Sequence, residues 1–76
     1  MFKKISEIFE KVLHLKAGRI SLETTKSNLH EWDSMKQLEL ILEIEKEFSI
    51  KFTLEEMISI DSITKLIDVI NHKRAG

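Results

Sequence analysis

Residues 33–48 have the sequence DSMKQLELILEIEKEF, which carries the strongest helical signal in the chain. Most of this stretch is Leu, Glu, Lys and Gln, and these residues favour the helix. Asp33 is a good N-cap residue, because its carboxylate can accept hydrogen bonds from the free N–H groups of the first turn. The sequence therefore predicts a helix over residues 34–48. Its expected core-facing stripe consists of Leu40, Ile41, Ile44 and Phe48.

The predicted helix has a second apolar stripe, which we call the contact strip and which consists of Met35, Leu38 and Leu42. With successive residues about 100° apart around the helix axis, Ser34 lies between the core stripe and the contact strip. Glu45 also lies between the two stripes. The combined apolar sector is wider than a helix in a small bundle needs. Either the strip covers the loop before the helix, or it is an exposed surface rimmed by carboxylates and suited to a basic, apolar partner. We favour exposure for Met35 and Leu42, and both alternatives stay open for Leu38.

The residues before this helix predict another helix and a long loop. Apolar residues recur at helical spacing between Ile5 and Leu13 and predict an amphipathic helix over 3–15, with Gly18 as its stop signal. Residues 16–32 show no sustained period and predict an ordered loop pinned by apolar anchors. We expect these anchors to be Ile20, Leu22, Leu29 and Trp32.

The residues after this helix predict two more helices. Thr53 and Glu56 form a capping box, so we expect a one- to two-turn helix over 54–58. A last helix over 62–72 is predicted by the spacing of Ile63, Leu66, Ile67 and Ile70. The predicted fold class is all-α: a small four-helix bundle of three main helices and a short third helix, with a long loop between helices 1 and 2 and a single domain over residues 1–76.

Composition argues against several function classes. The 12 Lys and Arg and 13 Asp and Glu leave a net charge of -1, and residues 21–60 carry four basic and nine acidic residues, so no nucleic-acid partner is expected. With no cysteine and three scattered histidines, we expect no metal site. No apolar run approaches the roughly 18 residues of a membrane span. Residues 1–7 lack the apolar segment of a signal peptide, so we expect no membrane insertion and a cytoplasmic location.

A family resemblance is carried by Trp32-Asp33-Ser34-Met35 and the helix that follows. Together with Leu38, Glu39, Leu40, Glu45 and Phe48, these residues resemble the acyl carrier protein family, whose motif is Asp-Ser-Leu at the start of its second helix. The resemblance is densest over residues 29–70. It implies that a phosphopantetheinyl transferase attaches 4'-phosphopantetheine from coenzyme A to Ser34, with Asp33 as a motif residue that this enzyme engages. The thiol of the arm then holds an acyl group as a thioester.

The resemblance also implies how the chain works with other proteins. Such a carrier catalyses nothing itself and moves cargo between acyl-loading and acyl-transferring enzymes. Matching by position implies partner contacts at Met35, Leu38, Glu39, Leu42 and Glu45. General fatty-acid carriers are usually strongly acidic, whereas this chain is nearly neutral. The resemblance therefore favours a specialised discrete carrier in fatty-acid, lipid, glycan or secondary-metabolite biosynthesis.

Ser34 suits a bound phosphodiester on physical grounds as well. It heads a helix whose free N–H groups and positive dipole end attract anions. No His or Lys directly adjoins it in the sequence to act as its base, and an acceptor needs none, since the transferase supplies the chemistry. Because the chain has no cysteine, a carrier of thioesters must import its thiol.

Other functions and cargoes stay open at this point. The alternatives are an aminoacyl- or peptidyl-type carrier, an unmodified helical adaptor that docks through the contact strip, and a DNA-binding three-helix domain. We expect a monomer. The residues that either line an internal tunnel for an acyl chain or form an ordinary core are Leu40, Ile44, Phe48, Phe52 and Ile63.

Overall fold

Four helices make up the fold, as the sequence predicts. The computed structural model describes residues 1–75. Its helices are α1 (Phe2–Leu13), α2 (Ser34–Phe48), α3 (Leu54–Ser59) and α4 (Ile63–Ala75). Residues 1–75 contain no β-strand, only an isolated bridge between Thr25 and Ser62. The all-α four-helix fold class and the long loop between α1 and α2 are confirmed.

The end of α1 differs from the prediction. The helix stops at Leu13, because His14 adopts the left-handed conformation with φ 58°. Gly18 was predicted as the stop signal, and this is wrong: it lies in a turn beyond the helix, with φ 90°. Its N–H donates to Glu10 Oε2 at 3.0 Å, so the side chain of the last turn of α1 holds this turn in place.

One hydrophobic core joins α1, α2, α4 and the loop. Phe9 of α1 packs edge-on against Trp32, with ring centroids 4.8 Å apart, which confirms Trp32 as an anchor of the loop. Phe48, predicted in the core stripe of α2, is only half-buried and packs at the edge of the core. The side chains with at most 2% exposure include Ile5, Phe9, Trp32, Leu40, Ile44, Ile60, Ile63, Leu66 and Ile70.

The loop between α1 and α2 is tied to the start of α4. Backbone hydrogen bonds run from the Lys26 N–H to the Asp61 carbonyl at 2.9 Å and from the Ile63 N–H to the Thr24 carbonyl at 3.0 Å. Ile20 and Leu29 are buried, as predicted, but Leu22 is 54% exposed, so its prediction as an anchor is wrong. Leu22 occupies the tip of a turn, whose central residues project away from the core.

The short helix α3 begins with the predicted capping box. The Thr53 hydroxyl accepts a hydrogen bond from the Glu56 N–H at 3.1 Å, and Glu56 Oε1 accepts one from the Thr53 N–H at 2.8 Å. The helix contains no buried residue, so its position depends on contacts at its ends and on half-buried Met57.

Candidate functional site

Ser34 is the first residue of α2 and is exposed to solvent. The preceding Asp33 has an extended backbone, and its Oδ1 accepts a hydrogen bond from the Lys36 N–H at 2.9 Å, which confirms it as the N-cap. The Asp33 carbonyl accepts from the Gln37 N–H. Within the described residues, nothing accepts a hydrogen bond from the N–H of Ser34 or Met35. The first turn therefore keeps two free donors beside the Ser34 hydroxyl, which suits a phosphate oxygen.

An apolar groove of about 300 Å³ begins at Ser34 and runs between α2 and α3. It is open to solvent, and Lys26 of the loop lies at its edge. Its other lining residues are Ser34, Gln37, Leu38, Leu54, Met57 and Ile58. In the part of the chain that is described, this lining includes no His, Asp or Glu that could act as a base toward Ser34. The arrangement fits a hydroxyl that receives a group delivered by another enzyme.

The contact strip is exposed along its whole length. Met35 is 84% exposed, and Leu38 and Leu42 are about half exposed. The alternative that the strip covers the loop is therefore wrong, including for Leu38, where both interpretations were open. The contact strip and the groove are continuous, because Leu38 belongs to both.

Two exposed residues of α3 extend this apolar surface and were missed by the sequence analysis. Leu54 and Ile58 are 67% and 73% exposed, and both line the groove. Their i, i+4 spacing on a helix too short to bury a full face was a signal for an exposed apolar patch.

The two predicted acidic partner contacts have different surroundings. Glu39 is exposed, with one oxygen 3.7 Å from the Lys36 ammonium. Glu45 is half-buried, and its Oε2 accepts a hydrogen bond from the Phe52 N–H at 2.8 Å. Glu45 therefore holds the segment between α2 and α3, a structural role that its place between the two apolar stripes did not indicate. A role for either glutamate in partner binding stays a prediction.

Gln37 is a polar residue of the site that the sequence analysis also missed. Its side chain is 7% exposed and lies on the core-facing side of α2. Its Oε1 accepts a hydrogen bond from the Trp32 indole at 2.6 Å. Its Nε2 donates to the carbonyls of Met57 at 2.9 Å and Ile60 at 3.0 Å. A polar residue on a predicted apolar stripe was the signal that could have found it.

Ion pairs connect α1 to α2 and α3 to α4. Glu43 of α2 lies 3.2 Å from the Lys11 ammonium and 3.4 Å from that of Lys46. The hydrogen bond from Lys11, together with its charge and that of Lys46, lowers the pKa of the Glu43 carboxyl. Glu56 of α3 lies 2.7 Å from the Lys73 ammonium of α4, and this hydrogen bond, followed by that from the Thr53 N–H, lowers the pKa of the Glu56 carboxyl.

Other kinds of site find no support in the described residues. Residues 1–75 contain no cluster of three or more side chains that could hold a metal ion. No helix among them has the length and apolar character required to cross a membrane. The residues at Ser34 do fit a phosphopantetheine arm: an exposed hydroxyl, two free N–H groups for the phosphate and an apolar groove alongside.

Comparisons with known proteins agree with this geometry. A family model described as a phosphopantetheine attachment site matches residues 3–70. An acyl carrier protein of Buchnera aphidicola subsp. Schizaphis graminum is 35% identical over 71 residues, which cover 93% of this chain and 90% of that protein.

Solved structures of the same kind superpose closely on this chain. Holo acyl carrier protein from Geobacter metallireducens has a TM-score of 0.84 at 27% identity, covering 97% of this chain and 85% of that one. An acyl carrier protein from Thermotoga maritima has a TM-score of 0.83 at 26% identity, covering 96% and 85%. A putative acyl carrier protein from Mycobacterium tuberculosis, at 21% identity and a TM-score of 0.83 over 93% and 95%, shares the fold. The chain belongs to the acyl carrier protein family, whose members carry a phosphopantetheine attachment site.

Proposed function

We propose that Ser34 is the residue that carries the phosphopantetheine arm. The observation that supports this most directly is its position as the exposed first residue of α2, capped by Asp33 and open to the apolar groove. In the attachment step, Ser34 Oγ bonds to the pantetheine-side phosphorus of coenzyme A as the phosphoanhydride bond breaks. The nucleotide half leaves, and the transferase takes the hydroxyl proton. The arm supplies the thiol that this cysteine-free chain lacks.

The residues around Ser34 bind and orient rather than react. Asp33 holds the first turn of α2, so that the N–H groups of Ser34 and Met35 stay directed at the attached phosphate. The groove offers Leu38 and Leu54 as apolar contacts for the arm beside its attachment point. The chain is proposed to catalyse no step itself, since the transferase supplies the chemistry of attachment.

The contact strip is the proposed docking surface for partner enzymes. Met35, Leu38 and Leu42 supply exposed apolar area, and Glu39 and Glu45 lie on the same helix. Such a surface fits a partner with a basic, apolar patch, where apolar contacts contribute affinity and carboxylates steer the approach. The partners are the phosphopantetheinyl transferase and the enzymes that load and remove the acyl group.

The cargo and pathway are proposed from charge and packing. A net charge of -1 supports a specialised discrete carrier with its own set of partners. Leu40, Ile44 and Ile63 are buried in the core cluster, which supports an ordinary core over a preformed acyl tunnel. The monomeric state and the cytoplasmic location stay predictions.

The attachment residue can be tested by intact-protein mass spectrometry. After incubation with coenzyme A and a broad-specificity phosphopantetheinyl transferase, the wild-type chain should gain the mass of one phosphopantetheine group. Ser34→Ala should gain none. Ser62→Ala is the matched control, because Ser62 is another serine at the start of a helix, and its hydroxyl accepts from the Lys65 N–H. This control should be modified to the same extent as the wild type.

Two results would contradict the proposal. A wild-type chain that gains no mass would leave the unmodified adaptor as the better interpretation. A Ser34→Ala variant that gains the mass as readily as the wild type would place the arm on another residue.

A further inference from the structure

One buried carboxamide connects three parts of the molecule. The Gln37 side chain, on α2, bonds to the Trp32 indole of the loop and to the carbonyls of Met57 and Ile60 at the end of α3. The partners determine how the amide is turned, since an indole N–H can only donate and a carbonyl can only accept. Both ends of the amide therefore have partners, and in the described part of the chain no buried side-chain polar atom is left without one.

The short helix α3 depends on such contacts for its position. Its six residues include none that is buried, and an isolated helix of this length is unstable in water. The capping box and the Glu56–Lys73 pair act at its first turns. At its other end the polar link to α2 is the pair of hydrogen bonds from Gln37 Nε2.

The same residue lies in the wall of the groove beside Ser34. Gln37 is one turn along α2 from Ser34, and it bonds to α3 across the groove that Leu38 and Leu54 line from opposite sides. These hydrogen bonds therefore connect the two walls of the groove close to the serine.

We propose that Gln37 is a positioning residue, which anchors the end of α3 to α2 and so keeps the groove beside Ser34 formed before any arm is attached. Its relevance to the carrier cycle rests on the proposed function of Ser34. The anchoring itself belongs to the unmodified chain and can be measured there, so that the two proposals can fail separately.

Amide hydrogen exchange of the unmodified chain tests the anchor. Gln37→Glu keeps the acceptor for the Trp32 indole but replaces the donor to Met57 and Ile60 with a carboxylate oxygen. Gln37→Met fills a similar volume and removes all three hydrogen bonds. In both variants we expect the hydrogen-bonded amides of residues 56–60 to exchange about 10- to 100-fold faster, because both hydrogen bonds from Gln37 to the end of α3 are lost. Amides of α1 that exchange by local opening, without global unfolding, should change by less than about threefold.

A control variant elsewhere in α2 separates the positioning of α3 from the stability of the whole molecule. Ile41→Val shortens a buried side chain of the same helix without touching a hydrogen bond of Gln37. It should speed exchange by global unfolding about fivefold without lowering the protection of residues 56–60 relative to α1. The proposal is overturned if the Gln37 variants also leave this ratio unchanged. If Gln37→Glu does not fold, Gln37→Met decides the question.

The single tryptophan supplies a spectroscopic signature. Its indole N–H proton resonance should stay at or downfield of its wild-type position in Gln37→Glu, where a carboxylate accepts, and move upfield in Gln37→Met, because only Gln37→Met removes the acceptor. An unchanged indole resonance in Gln37→Met would contradict the arrangement.

The modified chain supplies the link to the carrier function. Attachment of the arm should shift the methyl resonances of Leu38 and Leu54 in the wild type, and by less than half as much in Gln37→Met. Mass spectrometry should still show full modification of the variant. Equal methyl shifts in both proteins would overturn the role of Gln37 in keeping the groove formed, and a missing mass gain in the wild type would overturn the proposal for Ser34 instead.

Discussion

Asp33 has one role that its geometry shows and a second that is proposed. Its carboxylate accepts from the Lys36 N–H and caps α2 at the residue before Ser34. As the motif residue, its charge is also proposed to contact the transferase. The two roles differ chemically, since capping requires only an oxygen acceptor, whereas an ionic contact requires the charge.

A pair of substitutions at Asp33 separates these roles. Asp33→Ala removes the cap and should lower the free energy of unfolding by about 1 kcal/mol, measured by urea denaturation. Asp33→Asn retains an equally good cap and should change that free energy by only a few tenths of a kcal/mol. Asn at this position should nevertheless slow modification of Ser34 by the transferase. Equal stabilities for Asp33→Ala and the wild type would contradict the capping role.

Glu56, unlike Asp33, has two partners on one carboxylate oxygen. Its Oε1 accepts from the Thr53 N–H and from the Lys73 ammonium, so it caps α3 and ties it to α4. The Lys73 ammonium also lies 5.8 Å from the centre of the Phe52 ring. Protonation of Glu56 therefore weakens two contacts of α3 at once.

At the scale of the element, α3 should lose stability in acid. The Lys73 hydrogen bond and the Thr53 N–H lower the folded-state pKa of Glu56 below its ordinary value of 4.5. A carboxyl group whose pKa is lowered by folding stabilises the folded state at pH values above its unfolded-state pKa. This stabilisation is lost as the pH falls through its folded-state pKa. Protection of residues 56–59 against exchange should therefore decrease as the pH falls below about 4.5.

The cause can be checked by NMR titration of the Glu56 side-chain carboxyl carbon. Lys73→Met should move its midpoint up toward 4.5, because it removes the main cause of the shift. Lys51→Met, which removes an exposed lysine from the segment between α2 and α3, is the control and should leave the midpoint close to that of the wild type. An unchanged Glu56 midpoint in Lys73→Met would contradict this account of the helix.

At the scale of the whole molecule, exposed apolar side chains are concentrated around Ser34. Met35, Leu38 and Leu42 lie on α2, and Leu54 and Ile58 lie on α3 across the groove. Leu22 is exposed to a similar degree but lies in the loop. The molecule therefore offers a matched pair of leucines, one in the contact strip and one outside it.

Leu42→Glu and Leu22→Glu test whether the contact strip is the docking surface. The two leucines are 50% and 54% exposed, so both variants should fold with nearly wild-type stability. Leu42→Glu should reduce kcat/KM for modification by the transferase about tenfold or more, because it places a charge in an apolar contact. Leu22→Glu should stay within about twofold of the wild type. Equal effects of the two would mean that docking does not use the strip.

The accuracy of the sequence-based predictions depends on how far apart the interacting residues are. The caps at Asp33 and at Thr53 with Glu56 were predicted correctly, because each joins residues three apart in the chain. The end of α1 was misplaced because His14 adopts a left-handed conformation that is more usual for glycine. The exposure of Leu22 depended on a turn within the loop, which hydrophobicity alone does not indicate.

Local spacing in the sequence was enough to predict the four helices, the N-caps of α2 and α3 and the Ser34 motif, since periodicity and capping act between residues at most a few positions apart. The tertiary structure was needed to show that Gln37 bonds to carbonyls 20 and 23 residues away and that Lys73 of α4 bonds to Glu56 of α3. It also decided that Leu54 and Ile58 face the same groove as Ser34. These contacts exist because the packed helices bring distant segments within hydrogen-bonding or van der Waals distance, and helix packing depends on the shape of the whole core rather than on any local spacing.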